Sequence, residues 1–269
     1  MSDSVRARVR TAARLLACIG LIAVAGCAST AVPTCSAGSG SGACTRVLFL
    51  GNSYTYVNDL PSTFAALARS AGRQIEVGMV ANGGETLAQH EASSQSRDRI
   101  TSQGWTYVVL QEQSDTPSTA SGRDYSMYPA ARALARNIKD AGAVPMFFMT
   151  WAHKDGEPSA GLAYEGMQQQ VDAAYAGIAT ELHVPVAPVG FTWFIVHADH
   201  PEMTLWSDDG SHPSIAGTYL AACVFYASIF KQSPVGLSFH DGVPDDQARI
   251  LQDEAGRHVL DLQDQWGLR

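Results

Sequence analysis

Two short runs carry side chains that can do chemistry together. Arg46-Val47-Leu48-Phe49-Leu50-Gly51-Asn52-Ser53 ends an apolar stretch at a glycine and then presents a serine hydroxyl. Asp209-Gly210-Ser211-His212 places an acid and an imidazole three residues apart. A serine hydroxyl is a poor nucleophile until a base takes its proton, and that base needs an acid to hold its tautomer. Ser53, His212 and Asp209 supply these parts. Acyl transfer also builds up an oxyanion, so N–H donors must stand ready around it. The candidates are the Ser53 main-chain N–H, a glycine N–H in Asn82-Gly83-Gly84-Glu85-Thr86, and a side-chain amide in Gln111-Glu112-Gln113-Ser114. Taken singly, each run has a plainer reading as a strand-to-helix turn, an Asp-Gly surface turn, a Gly-Gly loop or a polar loop entry. Their combination on one strand–helix pattern favours a hydrolase.

That pattern is β-α-β-α. Apolar runs at 47–50, 75–81, 105–111, 144–150 and 184–189 read as strands. Between them, Leu60, Phe64, Leu67 and Ala68 share a helical face that closes at Gly72. Helical patterns also run over 87–96, 128–141, 164–182, 215–230 and 245–265. Alternation of this kind predicts an α/β fold: a three-layer α/β/α sandwich around a mostly parallel five-stranded sheet. Ligands in such sheets bind beyond the C-terminal strand ends, where Ser53 and both oxyanion runs fall.

The ordered runs resemble the sequence blocks of the SGNH hydrolases of the GDSL superfamily, over roughly residues 46–235. Leu50-Gly51-Asn52-Ser53 is similar to the first block, with Asn52 in place of the usual Asp. Gly83-Gly84-Glu85-Thr86 is similar to the second, and Asp209-Gly210-Ser211-His212-Pro213 matches the last. The resemblance implies a flavodoxin-like SGNH fold, Ser53 as nucleophile, the Asp209/His212 pair, and Ser53 and Gly84 as oxyanion donors. The third block departs. The family usually shows Gly-x-Asn-Asp, whereas Gln111-Glu112-Gln113-Ser114 is closer to the Gln-Gly-Glu of sialate-type acetylesterases. A glutamine amide can replace the asparagine amide, with Gln111, at the strand end, favoured over Gln113.

Other groups are weighed against their structural uses. His197-Ala198-Asp199-His200 resembles a short metal-ligand cluster that Asp208 and His212 could complete. Surface or capping roles are favoured, so no metal and no cofactor are expected. Trp151, Trp193 and Trp206 offer flat faces for a sugar ring, though core packing is their commoner fate. His90 and His153 read as polar surface groups or as support behind the site.

The N-terminus reads as an export signal. Arg6, Arg8, Arg10 and Arg14 precede an apolar run from Leu15 to Val24, too short for a confident bilayer span. Val24-Ala25-Gly26-Cys27 resembles a bacterial lipobox, with an ordinary signal peptide as the alternative. The expected organisation is a signal peptide at 1–26, a Gly/Ser-rich tether at 27–45 acylated at Cys27, and a hydrolase domain at 46–269 that includes the C-terminal helix. Cleavage before Cys27 removes four arginines and one aspartate and takes the formal charge from −8 to −11. An acidic chain without a basic cluster argues against nucleic-acid binding. Export makes a Cys35–Cys44 disulfide plausible, and Cys223 reads as a buried thiol. No C-x-x-C is present to suggest a cysteine zinc site.

The expected function is a serine ester hydrolase working through an acyl-serine intermediate. Its substrate would be a small-molecule or polysaccharide ester, with carbohydrate O-acetyl groups as the leaning. The enzyme would be exported to the bacterial cell envelope and meet the membrane only through its N-terminal lipid. The competing expectation is a non-catalytic carbohydrate-binding lipoprotein on a degenerate hydrolase fold.

Overall fold

The computed structural model describes Cys35 and residues 44–269. The expected signal peptide, Cys27 and most of the tether lie outside the described residues.

Five strands form one parallel sheet in the order β2-β1-β3-β4-β5. They are β1 (Thr45–Gly51), β2 (Ile75–Ala81), β3 (Tyr107–Leu110), β4 (Val144–Phe148) and β5 (Val186–Ala187). The helices in chain order begin with α1 (Ser53–Tyr56), α2 (Leu60–Ser70), α3 (Leu87–Ala92), α4 (Ser94–Thr101) and α5 (Ala120–Gly122). They continue with α6 (Tyr128–Asp140), α7 (Tyr164–Leu182), α8 (Val189–Asp199), α9 (Ile215–Phe230) and α10 (Asp245–Leu260). One packed group holds α2, α8, α9 and α10, and another holds α3, α4, α6 and α7. The sheet lies between helical layers, which is the expected three-layer α/β/α architecture.

A parallel sheet covered on both faces has no solvent side, so its strands are apolar without alternation. Val47 to Leu50, Val108 to Leu110, and Phe147 and Phe148 are wholly buried. Phe225 meets both Phe49 and Phe148 edge to face, with centroids 5.2 and 5.0 Å away. α9 has no charged residue and is buried from Gly217 to Ile229, because α2, α8 and α10 surround it. Among the described residues no helix is long and apolar enough to cross a membrane.

Three expectations about elements need correction. The helix expected over 87–96 is two helices. Ser93 adopts an extended backbone between them, and its hydroxyl caps α4 by accepting from Ser96 N–H. The fifth strand shrinks to two residues, and the chain turns directly into α8. Its sequence Val-Gly-Phe-Thr-Trp-Phe-Ile-Val favours a strand on propensity alone. Tertiary packing decides otherwise. Gly190 N–H donates to Met149 O, and a Cβ on Gly190 would collide with the Thr150 carbonyl. The last helix ends at Leu260 rather than near 265.

Candidate active site

Everything that could act on an ester sits where β1, β2, β3 and β4 end. Gly51 closes β1 in a space that admits no side chain, since a Cβ would strike Thr55 Oγ1 and Gln111 Oε1. Asn52 then caps α1, its Oδ1 accepting from Tyr54 N–H at 3.0 Å. The cap starts a helical turn at once and places Ser53 at its first position.

Ser53 Oγ lies 2.8 Å from His212 Nε2, and His212 Nδ1 lies 2.6 Å from Asp209 Oδ2. The other Asp209 oxygen accepts from Ser211 N–H and His212 N–H, both at 2.9 Å. The Ser211 N–H first, with help from the His212 imidazole, holds the Asp209 carboxyl down at about 2. Asp209 is therefore an anion that only accepts, which puts the imidazole proton on Nδ1. Nε2 is left as an acceptor for the Ser53 hydroxyl proton. This is the tautomer that a base next to a nucleophile needs.

The loop carrying Asp209 and His212 is pinned from below. Gly210 turns it with a φ of +69°. Lys154 N–H donates to Gly210 O at 2.8 Å, and Trp151 Nε1–H donates to Ser211 O at 2.9 Å. Tyr54 Oη and Ser211 Oγ are 2.7 Å apart. Tyr54 stacks on Trp151 at 4.6 Å and 4°, and Trp151 stacks on Trp193 at 4.1 Å and 8°. Burial pushes the Tyr54 phenol up, so it stays neutral. Trp206 meets Trp193 edge to face. All three tryptophans are therefore buried pillars under the Asp209–His212 loop, the core packing expected of them rather than a sugar platform.

The candidate oxyanion side is built from main chain. Glu85 N–H donates to Asn82 O, and the Glu85 carboxylate accepts from Asn82 N–H and Nδ2–H. This closed turn leaves Gly84 exposed with a φ of +66°. Asn52 Nδ2–H donates to Glu85 O at 3.0 Å and so ties the turn to the serine. Neither Ser53 N–H nor Gly84 N–H donates to an acceptor among the described residues.

The expected glutamine donor is engaged elsewhere in this structure. Gln111 is fully buried and its amide is spent. Its Nε2 donates to Asn52 Oδ1 at 2.9 Å and Glu112 O at 2.7 Å. Its Oε1 accepts from Asn52 N–H and Thr55 Oγ1–H, both at 2.9 Å. An amide has two donors and two acceptor sites, so none is left for an oxyanion. Gln113 is similarly engaged: Nε2 donates to Ser114 Oγ and Asp115 Oδ2, while Oε1 accepts from Asp115, Thr116 N–H and Thr116 Oγ1–H.

Two buried groups support the strand ends. His90 is wholly buried, which is the supporting place behind the site rather than the surface one. Its Nε2 sits 2.9 Å from Gly51 O, which can only accept, so Nε2 carries the proton and Nδ1 faces Ser96 Oγ. Glu112 is also wholly buried, and burial pushes its carboxyl up to about 7. Nothing in local composition marks either residue as buried, because burial is defined by what folds over it.

The metal-like run at His197 disperses. His197 lies edge-on to Trp206, while His200 approaches Glu202 and Glu254 at 3.7 Å each. Among the described residues, the only three ligand-type side chains whose atoms lie within 4.8 Å of one another are Asp115, His153 and Glu157. His153 Nε2 already faces Ser114 Oγ at 3.1 Å. Cys35 and Cys44 are joined by a disulfide with Cα atoms 5.6 Å apart, and Cys223 is a buried free thiol.

No family model matches the chain, and no curated protein matches it. Solved structures do. A protein of Slackia heliotrinireducens assigned to the SGNH hydrolases is 30% identical, with a TM-score of 0.59, over 68% of this chain and 97% of the other. A DUF4886 family protein from Bacteroides uniformis is 17% identical, with a TM-score of 0.66, over 81% and 95%. A variant of an acetyl xylan esterase from Geobacillus stearothermophilus is 15% identical, with a TM-score of 0.54, over 69% and 94%. The last two likenesses are of fold alone.

Proposed function

The chain belongs to the SGNH hydrolases and is an esterase-type hydrolase, and we propose that it works through an acyl-serine intermediate on short acyl esters, with O-acetylated carbohydrate as the substrate class. The observation that carries the reading is the continuous Asp209–His212–Ser53 hydrogen-bond relay beside two unengaged N–H groups.

His212 Nε2 takes the Ser53 proton as Oγ attacks the ester carbonyl carbon. The carbonyl oxygen becomes an oxyanion against the N–H groups of Ser53 and Gly84. Asp209 stabilises the imidazolium. That imidazolium gives its proton to the departing alkoxide as the C–O bond breaks, which leaves an acyl-serine and a free alcohol. Water repeats the sequence, with His212 as base, and releases the carboxylic acid.

The O-acetyl reading draws on three supports. The third block leans towards sialate-type acetylesterases. The Geobacillus stearothermophilus protein, which shares the fold, is an acetyl xylan esterase. An exported enzyme, lipid-anchored at Cys27, would meet envelope or environmental polysaccharides.

Acetate release from acetylated xylan, acetylated peptidoglycan and O-acetyl sialate, set beside hydrolysis of a long-chain ester, tests the substrate class. Strong preference for the long chain would end the deacetylase reading. A fluorophosphonate probe tests the mechanism: wild type should label and Ser53→Ala should not. A folded wild type that stays unlabelled would favour the non-catalytic alternative.

A further inference from the structure

We propose that Glu112 is a positioning residue for the oxyanion side of the site, its buried carboxyl tying the end of β3 to the turn that carries Gly84. The proposal rests on the esterase reading above and deepens it.

One carboxylate oxygen does the tying. Glu112 Oε1 accepts from Leu87 N–H at 3.1 Å and from Gln113 N–H at 2.7 Å. Leu87 opens α3, directly after the Asn82–Thr86 turn, where no helical carbonyl can reach its N–H. The turn thus has anchors at the ends of two other strands. Asn52 holds Glu85 O from the end of β1, and Glu112 holds Leu87 from the end of β3. Tyr175 of α7 fixes Glu112 in turn, its hydroxyl accepting from Glu112 N–H at 3.1 Å. Gly84 lies three residues from the anchored amide. A donor displaced by about 1 Å from the developing charge can cost on the order of 10²-fold in rate.

The arrangement is locally unfavourable. Glu112 is wholly buried, and its Oε2 has no hydrogen-bond partner among the described residues. A buried polar oxygen without a partner opposes folding. Such local conflicts cluster at functional sites. The group also stands outside the relay: Ser53, His212 and Asp209 make no hydrogen bond to it.

The test uses two variants of the whole protein and p-nitrophenyl acetate. Glu112→Gln keeps the accepting oxygen. Glu112→Met keeps the volume and removes it. The expected result is a fall of about 10–100-fold in kcat for Glu112→Met, with KM within about twofold, and kcat within about threefold of wild type for Glu112→Gln. Amide exchange at Leu87 should accelerate about tenfold in Glu112→Met and not in Glu112→Gln. Wild-type kcat in Glu112→Met, equal impairment of both variants, or a KM effect at constant kcat would overturn the proposal. Should Glu112→Met fail to fold, wild type and Glu112→Gln decide. Slow Leu87 exchange in both supports the tether, and exchange as fast as an open loop amide refutes it. A wild type without esterase activity would refute the proposed function, whereas the exchange result reads the tether independently of turnover.

Discussion

Asn52 and Gln111 hydrogen-bond to each other reciprocally: Asn52 N–H donates to Gln111 Oε1, and Gln111 Nε2–H donates to Asn52 Oδ1, both at 2.9 Å. The pair joins the residue before Ser53 to the end of the neighbouring strand. It also explains why an asparagine serves at position 52. Its Nδ2–H donates to Glu85 O, a bond an aspartate could not make. Asn52→Asp would set a carboxylate oxygen against that carbonyl. It should loosen the Gly84 turn and lower kcat/KM about tenfold or more, since a charged buried group left unpaired costs more than a neutral one. Kinetics on p-nitrophenyl acetate check this. Unchanged kcat/KM would show that the turn holds without the bond.

Gln111→Ala separates support from direct oxyanion contact. It leaves Asn52 N–H, Asn52 Oδ1 and Thr55 Oγ1 short of partners, so denaturant unfolding should show a loss of about 1–3 kcal/mol. A stable variant whose kcat falls 10²–10³-fold would instead be the signature of a lost oxyanion donor, and would reinstate the glutamine in that role.

Asp209→Asn should keep the fold and lower kcat by about 10⁴-fold, because an amide at that position no longer enforces the Nδ1–H tautomer. Ser53→Ala and His212→Ala should lose at least as much activity individually as together, as residues acting in one relay do. Single and double variants compared at one pH decide. Multiplicative losses would mean that the two do not act as a unit.

Glu112 gives the protein a stability that depends on pH. Its folded pKa, about 7, is raised from an ordinary 4.5. The carboxyl is therefore more readily protonated when folded, and its contribution is fully present below 4.5 and lost as pH rises through 7. The full span corresponds to on the order of 3 kcal/mol. Glu112→Gln is neutral throughout. Its melting temperature minus that of wild type should rise between pH 5 and pH 8. A flat difference over that range would mean that the carboxyl is not held in its neutral form.

Tyr54→Phe should lower kcat severalfold and stability by about 1 kcal/mol, because the phenol contacts Ser211 in the loop that carries His212. The ring stack on Trp151 would survive the change, so a collapse in melting temperature would be the unexpected result.

The strand–helix alternation and the chemistry-bearing runs were legible from residue order. Val47–Leu50 and Val108–Leu110 read as buried parallel strands because both faces of such strands must be apolar. Tyr164–Leu182 and Ile215–Phe230 showed their full helical extents. Ser53 stood out because an apolar strand stops at a glycine just before it, and Asp209 and His212 because a single turn links them. The sequence by itself thus determined the sheet, the position of the serine at its edge, and the candidate acid and base.

Tertiary structure decided what depends on long-range partners. Whether Ser53 Oγ meets His212 Nε2 is a contact across 159 residues. The role of Gln111 turned on bonds to Asn52 and Thr55 that no local pattern encodes. The backbone of α8 was set by Gly190 passing the Thr150 carbonyl, against the strand propensity of its residues. Glu112 and His90 read as polar and became buried because α3 and the strand ends fold over them. Local propensity and periodicity report the chain's near neighbours; hydrogen-bond saturation and burial belong to the assembled fold.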